Sequence, residues 1–329
     1  FDLDFKFSDK INYNFFPRPH FTNNETIIFH NNIAISKIKK IKIYVSADNL
    51  FKLKNIEVND LIIENANFDI NKNNYNFFTK LLNNNFLDKK LEIKKSNIFF
   101  RNKKKEVLFI NQISNLKYFY DVKELKNKLF SQNEIFNIPY SIEVYNDYDN
   151  KKIFSKLNLY FLKLQIENEL NNKNENKSGD ARVMYNKSKS NISYNFNKNF
   201  FEFNFYDKLE NSEFLYNGKF NINPFFATLK GNTQKINLLN LLDSESFLVQ
   251  LLKTGIFTNR NIDFELKVNA AHIINNVNFK NINLNSKIQE GLIDIDNTKF
   301  EWKDIADFEL FITLFSFPVA KLLSEPLTV

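Results

Sequence analysis

The chain has 329 residues, 43% hydrophobic and 25% charged, with a mean hydropathy of −0.40. That is enough apolar material for one or two cored domains, and 38 Phe with 13 Tyr exclude a disordered chain. Cysteine is absent, which excludes disulfides, thiolate metal sites and cysteine nucleophiles, while a formal charge of +7 keeps an anionic partner in view.

The first distinctive stretch is NYNFFPRPHFTN at 12–23, where two phenylalanines run into Pro17-Arg18-Pro19. Proline fixes its own φ and pushes the preceding residue away from helix, so this is a stiff extended corner. KIKIYVS then places Ile41, Ile43 and Val45 on one face of a strand and Lys40, Lys42 and Tyr44 on the other. The spacing of Phe77, Phe78, Leu81 and Leu82 predicts a short amphipathic helix over 74–87, and a second is expected near 121–130. Between them, 92–109 reads as two strands around a solvated RNKKKE tip. Asn- and Asp-rich clusters at 146–152 and 171–180 supply turns, because both residues bond their own backbone and tolerate left-handed φ.

Alternation resumes with Ile192, Tyr194 and Phe196, then Phe201, Phe203 and Phe205. The clearest helical pattern covers 236–255, with Gly255 placed to stop it and Ser244 or Ser246 able to cap a second short helix. Ile262, Phe264, Leu266 and Val268 form another apolar row, followed by Val277, Phe279, Ile282 and Leu284. Asn, Lys and Glu fill the opposite faces, the mark of an antiparallel sheet that is wet on one side. Units of this length imply on the order of two dozen strands. No Pro/Gly/Ser linker divides them, so one continuous β region over 1–329 is expected, with 171–180 as the candidate point of subdivision.

No catalytic constellation stands up. Asp294, Asp296 and Thr298 match the D-x-D-x-T core of haloacid-dehalogenase-like phosphatases, but the surrounding chain alternates like an antiparallel sheet. The later acidic residues and lysine on a parallel sheet have little chain left to occupy. His20, His30 and His272 have no metal-binding spacing and read as polar loop or rim residues. The five glycines never cluster into a phosphate-cradling loop. No metal or cofactor is expected, and the reading is that of a non-enzyme. Nucleic acid is not expected as a partner either, since alternation sends the lysines and aromatics of 92–109 to opposite faces. The net basicity also fits an A/T-rich genome, which inflates Lys, Asn, Ile and Phe together.

A sheet with one apolar face must cover it, because burying each Phe is worth roughly 1.5–3 kcal/mol. A second sheet, helices or lipid hydrocarbon would all serve. INYNFFPRPHFTNNETIIF, SADNLFKLKNIEVNDLIIENANFDI and NVNFKNINLNSKIQEGLIDIDNTKFEW together resemble the AsmA-like family. The most specific likeness is the F-F-P-R-P corner, which in that family follows a membrane anchor. The resemblance implies an elongated, twisted antiparallel sheet curved into a hydrophobic groove, with a few short amphipathic helices. It further implies a protein anchored in the bacterial inner membrane and working in the periplasm, where it binds or transfers phospholipid for the outer membrane. The anchor is then expected upstream of Phe1. Under this reading the alternating apolar residues named above line the groove. Phe15, Phe16, Pro17, Arg18 and Pro19 form the membrane-proximal corner. The alternative is a structural or assembly factor of the cell envelope, docking a protein partner through exposed sheet edges.

Overall fold

The computed structural model describes residues 3–8, 10–46, 58–71, 74, 89–102, 104–147, 151–171, 177–185, 188–197, 200–209, 212–222, 225–237, 243–244, 246–259, 261, 263–289 and 292–315. Among the described residues the protein is mainly β: an open, antiparallel-dominated sheet not closed into a barrel, with very few helices. The chain divides into two compact units, 1–159 and 160–329. The stretch 171–180 falls inside the second; β-structure runs to Asn171 and resumes at Lys177.

The first unit holds β1 (Leu3–Lys6), β2 (Ile11–Asn14), β3 (His20–His30), β4 (Ile33–Val45), β5 (Val58–Ile70), β6 (Lys90–Arg101), β7 (Val107–Asp121), β8 (Lys126–Ile135), β9 (Ile138–Asp147) and β10 (Lys152–Leu159). β1 and β2 pair successively along β3, and from β3 to β10 each strand pairs with the next. One joint departs from the expected antiparallel pattern. β5 and β6 are parallel, and a long connection between them makes that possible. The helix expected over 74–87 lies in that connection, mostly outside the described residues.

No helix forms at 121–130. Asp121 ends β7, and its carboxylate accepts the backbone N–H groups of Lys123 and Glu124, closing a hairpin turn into β8. Local side-chain capture of the backbone wins here over a helical pattern that has only a few apolar positions.

The second unit holds β11 (Leu164–Asn171), β12 (Lys177–Tyr185), β13 (Ser188–Phe196), β14 (Phe200–Leu209), β15 (Ser212–Ile222) and β16 (Phe225–Ile236), paired in that order. A crossover follows. It contains helix α1 (Phe247–Lys253) and a 3-10 turn at Ile256–Thr258, and it returns the chain to β17 (Asp263–Ile273), parallel to β16. Of the 236–255 pattern, α1 covers Phe247–Lys253, and 238–242 and 245 lie outside the described residues. β16 extends to Ile236, Ser246 caps α1 by accepting the Val249 N–H, and Gly255 at φ 73° ends it. β18 (Asn276–Gln289) pairs with β17 and carries both β19 (Leu292–Asp294) and β20 (Thr298–Trp302) along its length. β21 (Ala306–Leu310) and β22 (Thr313–Phe315) pair with β20 and β19.

A row of irregular residues crosses the first unit. Glu25, Asn65 and Lys95 take φ of 60°, 54° and 47° at matching levels of β3, β5 and β6. A left-handed residue inside a strand disturbs the two-residue alternation. Apolar positions that should recur every two residues therefore jump by three, from Ile63 to Ala66 and from Ile93 to Ile98 by way of Ser96. The jump keeps them together: Ile28, Ile38, Ile41, Ile63, Ala66 and Phe68 belong to one buried cluster, with Ile93 and Ile98 packed against it. The same device recurs in the second unit at Asn281, φ 48°, between Phe279 and Ile282.

Candidate functional site

The register turns the alternating residues into rungs running across several strands. In the first unit one rung is Asn23, Ile41, Ile63, Ile93, Leu116, Ser131, Ile142, Leu157, and the next is Phe21, Ile43, Leu61, Leu91, Tyr118, Leu129, Val144. Ile38 and Ile41 are wholly buried. The adjacent level on the other face is Asn24, Lys40, Glu64, Lys94, Asn115, Gln132. There Lys42 pairs with Glu64 at 3.1 Å, and Glu92 lies between Lys90 and Lys94. Ile41 and Ile43 thus stand on the apolar face as expected. Val45 is buried beyond a register shift at Tyr44, its N–H bonded to the Pro19 carbonyl.

The second unit is aromatic. Its rungs are Phe196, Phe201, Phe220, Ala227, Phe264, Ile288, then Tyr194, Phe203, Gly218, Leu229, Leu266, then Ile192, Phe205, Tyr216, Gly231, Val268, Leu284. Nine of the expected groove residues (Ile192, Tyr194, Phe196, Phe201, Phe203, Phe205, Phe264, Leu266 and Val268) therefore share one continuous face. Phe279 packs edge-on against Phe300, which packs against the buried cluster of Ile236, Val268, Ala270 and Ile282. Ile262 and the side chain of Val277 lie outside the described residues. The reverse face reads Asn195, Glu202, Lys219, Thr228, Glu265, Lys287, with Lys219 bonded to Glu202 at 2.7 Å.

Glycine has a part here that its scattered sequence positions hide. Gly218 lies opposite Phe203, and a Cβ on it would sit 2.1 Å from that ring. Gly231 is covered in the same way by Tyr216, and Gly179 by Tyr194. The rings lie flat across the neighbouring strand, filling the space that a side chain would take. Tyr194 reaches beyond Gly179 to donate its hydroxyl to Asn168 on β11. Burial raises the pKa of both Tyr194 and Tyr216. Lys177, at the end of the Phe196 rung with its ammonium 5.9 Å from that ring, is pushed down by burial.

The crossover lies on this aromatic face. Phe247 of α1 meets Tyr185 edge-on at 5.7 Å, and the buried Phe257 packs on Phe264. Phe201, Phe203 and Phe205 remain half-buried.

At the opening corner the Phe16–Pro17 peptide bond is cis, and Phe15 and Phe16 are 68% and 89% exposed. Arg18 is held on the polar face: its guanidinium pairs with Asp60 at 2.6 Å and lies over the Tyr44 ring. His20 is buried in β3 rather than on a loop, stacked on Tyr44 with Nδ1 donating to the Arg18 carbonyl. His30 and His272 also lie within strands. Along the edge, Ile11 and Tyr13 fall on the apolar face and stay exposed, extending it as a lip. Asp294 uses its carboxylate to accept the Asp296 N–H in a turn, and no acidic or histidine cluster fit for a metal occurs among the described residues. No helix among the described residues is long and apolar enough to cross a membrane. The sequence matches no known family and no curated protein.

Proposed function

We propose that the protein binds phospholipid, without catalysis, along the apolar face of its sheet, and transfers it between membranes of a bacterial envelope. The observation that carries this reading is the pair of faces: rungs dominated by Ile, Leu, Phe and Tyr run across many strands, while the reverse side alternates Lys, Glu and Asn. An open sheet of this kind offers hydrocarbon a surface and leaves headgroups at its edge in water. The resemblance to AsmA-like proteins supports a tether in the inner membrane and a place in the periplasm. Phe15 and Phe16 supply exposed apolar rings that can insert at a membrane surface. The excess of Lys and Arg in the first unit favours an anionic leaflet, at about 1 kcal/mol for each basic residue near its surface.

Native mass spectrometry of protein purified from membranes should find phospholipid bound. A folded, delipidated protein that takes up no phospholipid from vesicles would sink the proposal. A second reading, an envelope assembly factor that docks a protein partner, draws support from the crossover, which closes part of the aromatic face with Phe257. It gains if the purified protein carries a stoichiometric partner and no lipid.

A further inference from the structure

The apolar face of the first unit carries a polar notch at β7, β8 and β9. Along β8 the residues turned to that face are Asn127, Leu129, Ser131, Asn133 and Ile135. Asn111 on β7 lies opposite Ile135, diagonally beside Asn133. Tyr140 on β9 is opposite Asn133 and sends its hydroxyl across β8 to donate to Asn111 Oδ1 at 2.7 Å. The Ser131 hydroxyl donates to Asn133 Oδ1 at 2.8 Å.

Both carboxamides are turned in the same sense, oxygen toward the hydroxyl. Each oxygen already accepts a hydroxyl proton, so each Nδ2 is the group left to act. Asn111 and Asn133 are only 6% and 7% exposed, yet neither amide nitrogen has an acceptor. Neither nitrogen is fully enclosed, and both side chains stand on the apolar side. A donor placed in apolar surroundings without an acceptor is unfavourable, and an acceptor brought to it would bind. Ile98, Ile113, Ile135, Ile138 and Ile142 surround the notch on its face, with no charged group among them. A phosphate or carboxylate would lose its water there without gaining a cation, which disfavours both. A neutral carbonyl oxygen suits two neutral amide donors.

We propose that Asn111 and Asn133 donate to the two ester carbonyls of a diacyl lipid, fixing the depth at which the glycerol backbone rests on the face. This step rests on the lipid-binding reading above. Diagonal neighbours in an antiparallel pair stand about 7–8 Å apart, within reach of two carbonyls on one glycerol.

The test measures the affinity of the intact chain for ester-linked phosphatidylglycerol and for its ether-linked analogue of equal chain length. Ether oxygens are poor acceptors, so the ester lipid should bind about tenfold more tightly. The double variant Asn111→Leu/Asn133→Leu should lose that preference while still binding the ether lipid. Equal affinity of the unaltered protein for both lipids would overturn this inference and leave lipid binding standing. So would a preference that survives in the double variant. Failure to bind either lipid would overturn the lipid reading itself, and this inference with it. The comparison on the unaltered protein decides the matter even if the double variant does not fold.

Discussion

The two units solve the same problem with different side chains. In the first, isoleucine dominates the apolar face, and Ile38 and Ile41 are completely enclosed. In the second, aromatic rings span the strands, and Phe203 and Tyr216 lie over glycines at half-burial. Charge divides too: residues 1–159 carry 26 Lys and Arg against 18 Asp and Glu, residues 160–329 carry 19 against 20. The chain's positive charge therefore belongs to the unit that bears the exposed Phe15–Phe16 corner. Among the described residues both units nonetheless share two devices, a parallel joint spanned by a long connection and a left-handed residue at which alternation jumps by three. The difference teaches that the face needs continuity more than any particular residue type. Branched aliphatics give it by interdigitating, and rings give it by covering the adjacent strand.

The comparison can be broken most sharply in the aliphatic unit. Ile41→Ala leaves a cavity in a fully buried site and should destabilise by about 2–5 kcal/mol in urea denaturation followed by circular dichroism. Next comes the polar notch. Burial lifts the Tyr140 pKa to about 12, above its ordinary 10.0, because the buried phenolate is disfavoured. The unfolded chain then loses this proton first as pH rises, so stability is intact below about pH 10 and falls between about 10 and 12. The loss attributable to this group is about 2–3 kcal/mol, and Tyr140→Phe should flatten that part of the pH profile.

The aromatic unit is probed by Gly218→Ala, which forces a methyl into the Phe203 ring and should cost about 1–3 kcal/mol. Trp302, the single tryptophan, lies in that unit and reports its unfolding by fluorescence. In a Phe203→Leu background the same change should cost less, because the ring it strikes is gone. The smallest effect belongs to the corner. Arg18→Ala removes a half-exposed ion pair and a ring contact and should cost at most about 1 kcal/mol, less at high salt.

Much of this was legible in the alternation. Ile41 and Ile43, Phe201 to Phe205 and Phe264 to Val268 read as one-faced strands and are so placed, and the Ser246 cap and Gly255 stop fall where their residue types predict. The parallel joints were not legible, since a strand has the same period in either direction. The Asp121 turn was hidden by a few apolar residues at helical spacing. The rows of left-handed residues did leave a trace, in the three-residue step from Phe279 to Ile282. Glycines under rings left none, because Gly218 and Phe203 become neighbours only through the register. His20 read as a rim residue because its cover, the Tyr44 ring, comes from another strand.

The account turns on one face of the sheet meeting lipid while the other does not. A photoreactive phenylalanine analogue placed singly at Ile43, Phe203, Lys42 or Asn204 reads this directly in protein held in native membranes. Ile43 and Phe203 stand on the apolar face, and Lys42 and Asn204 on the polar one. The account predicts phospholipid adducts at Ile43 and Phe203 and none at Lys42 and Asn204. Equal labelling of both faces, or adducts to protein alone at Ile43 and Phe203, would contradict it.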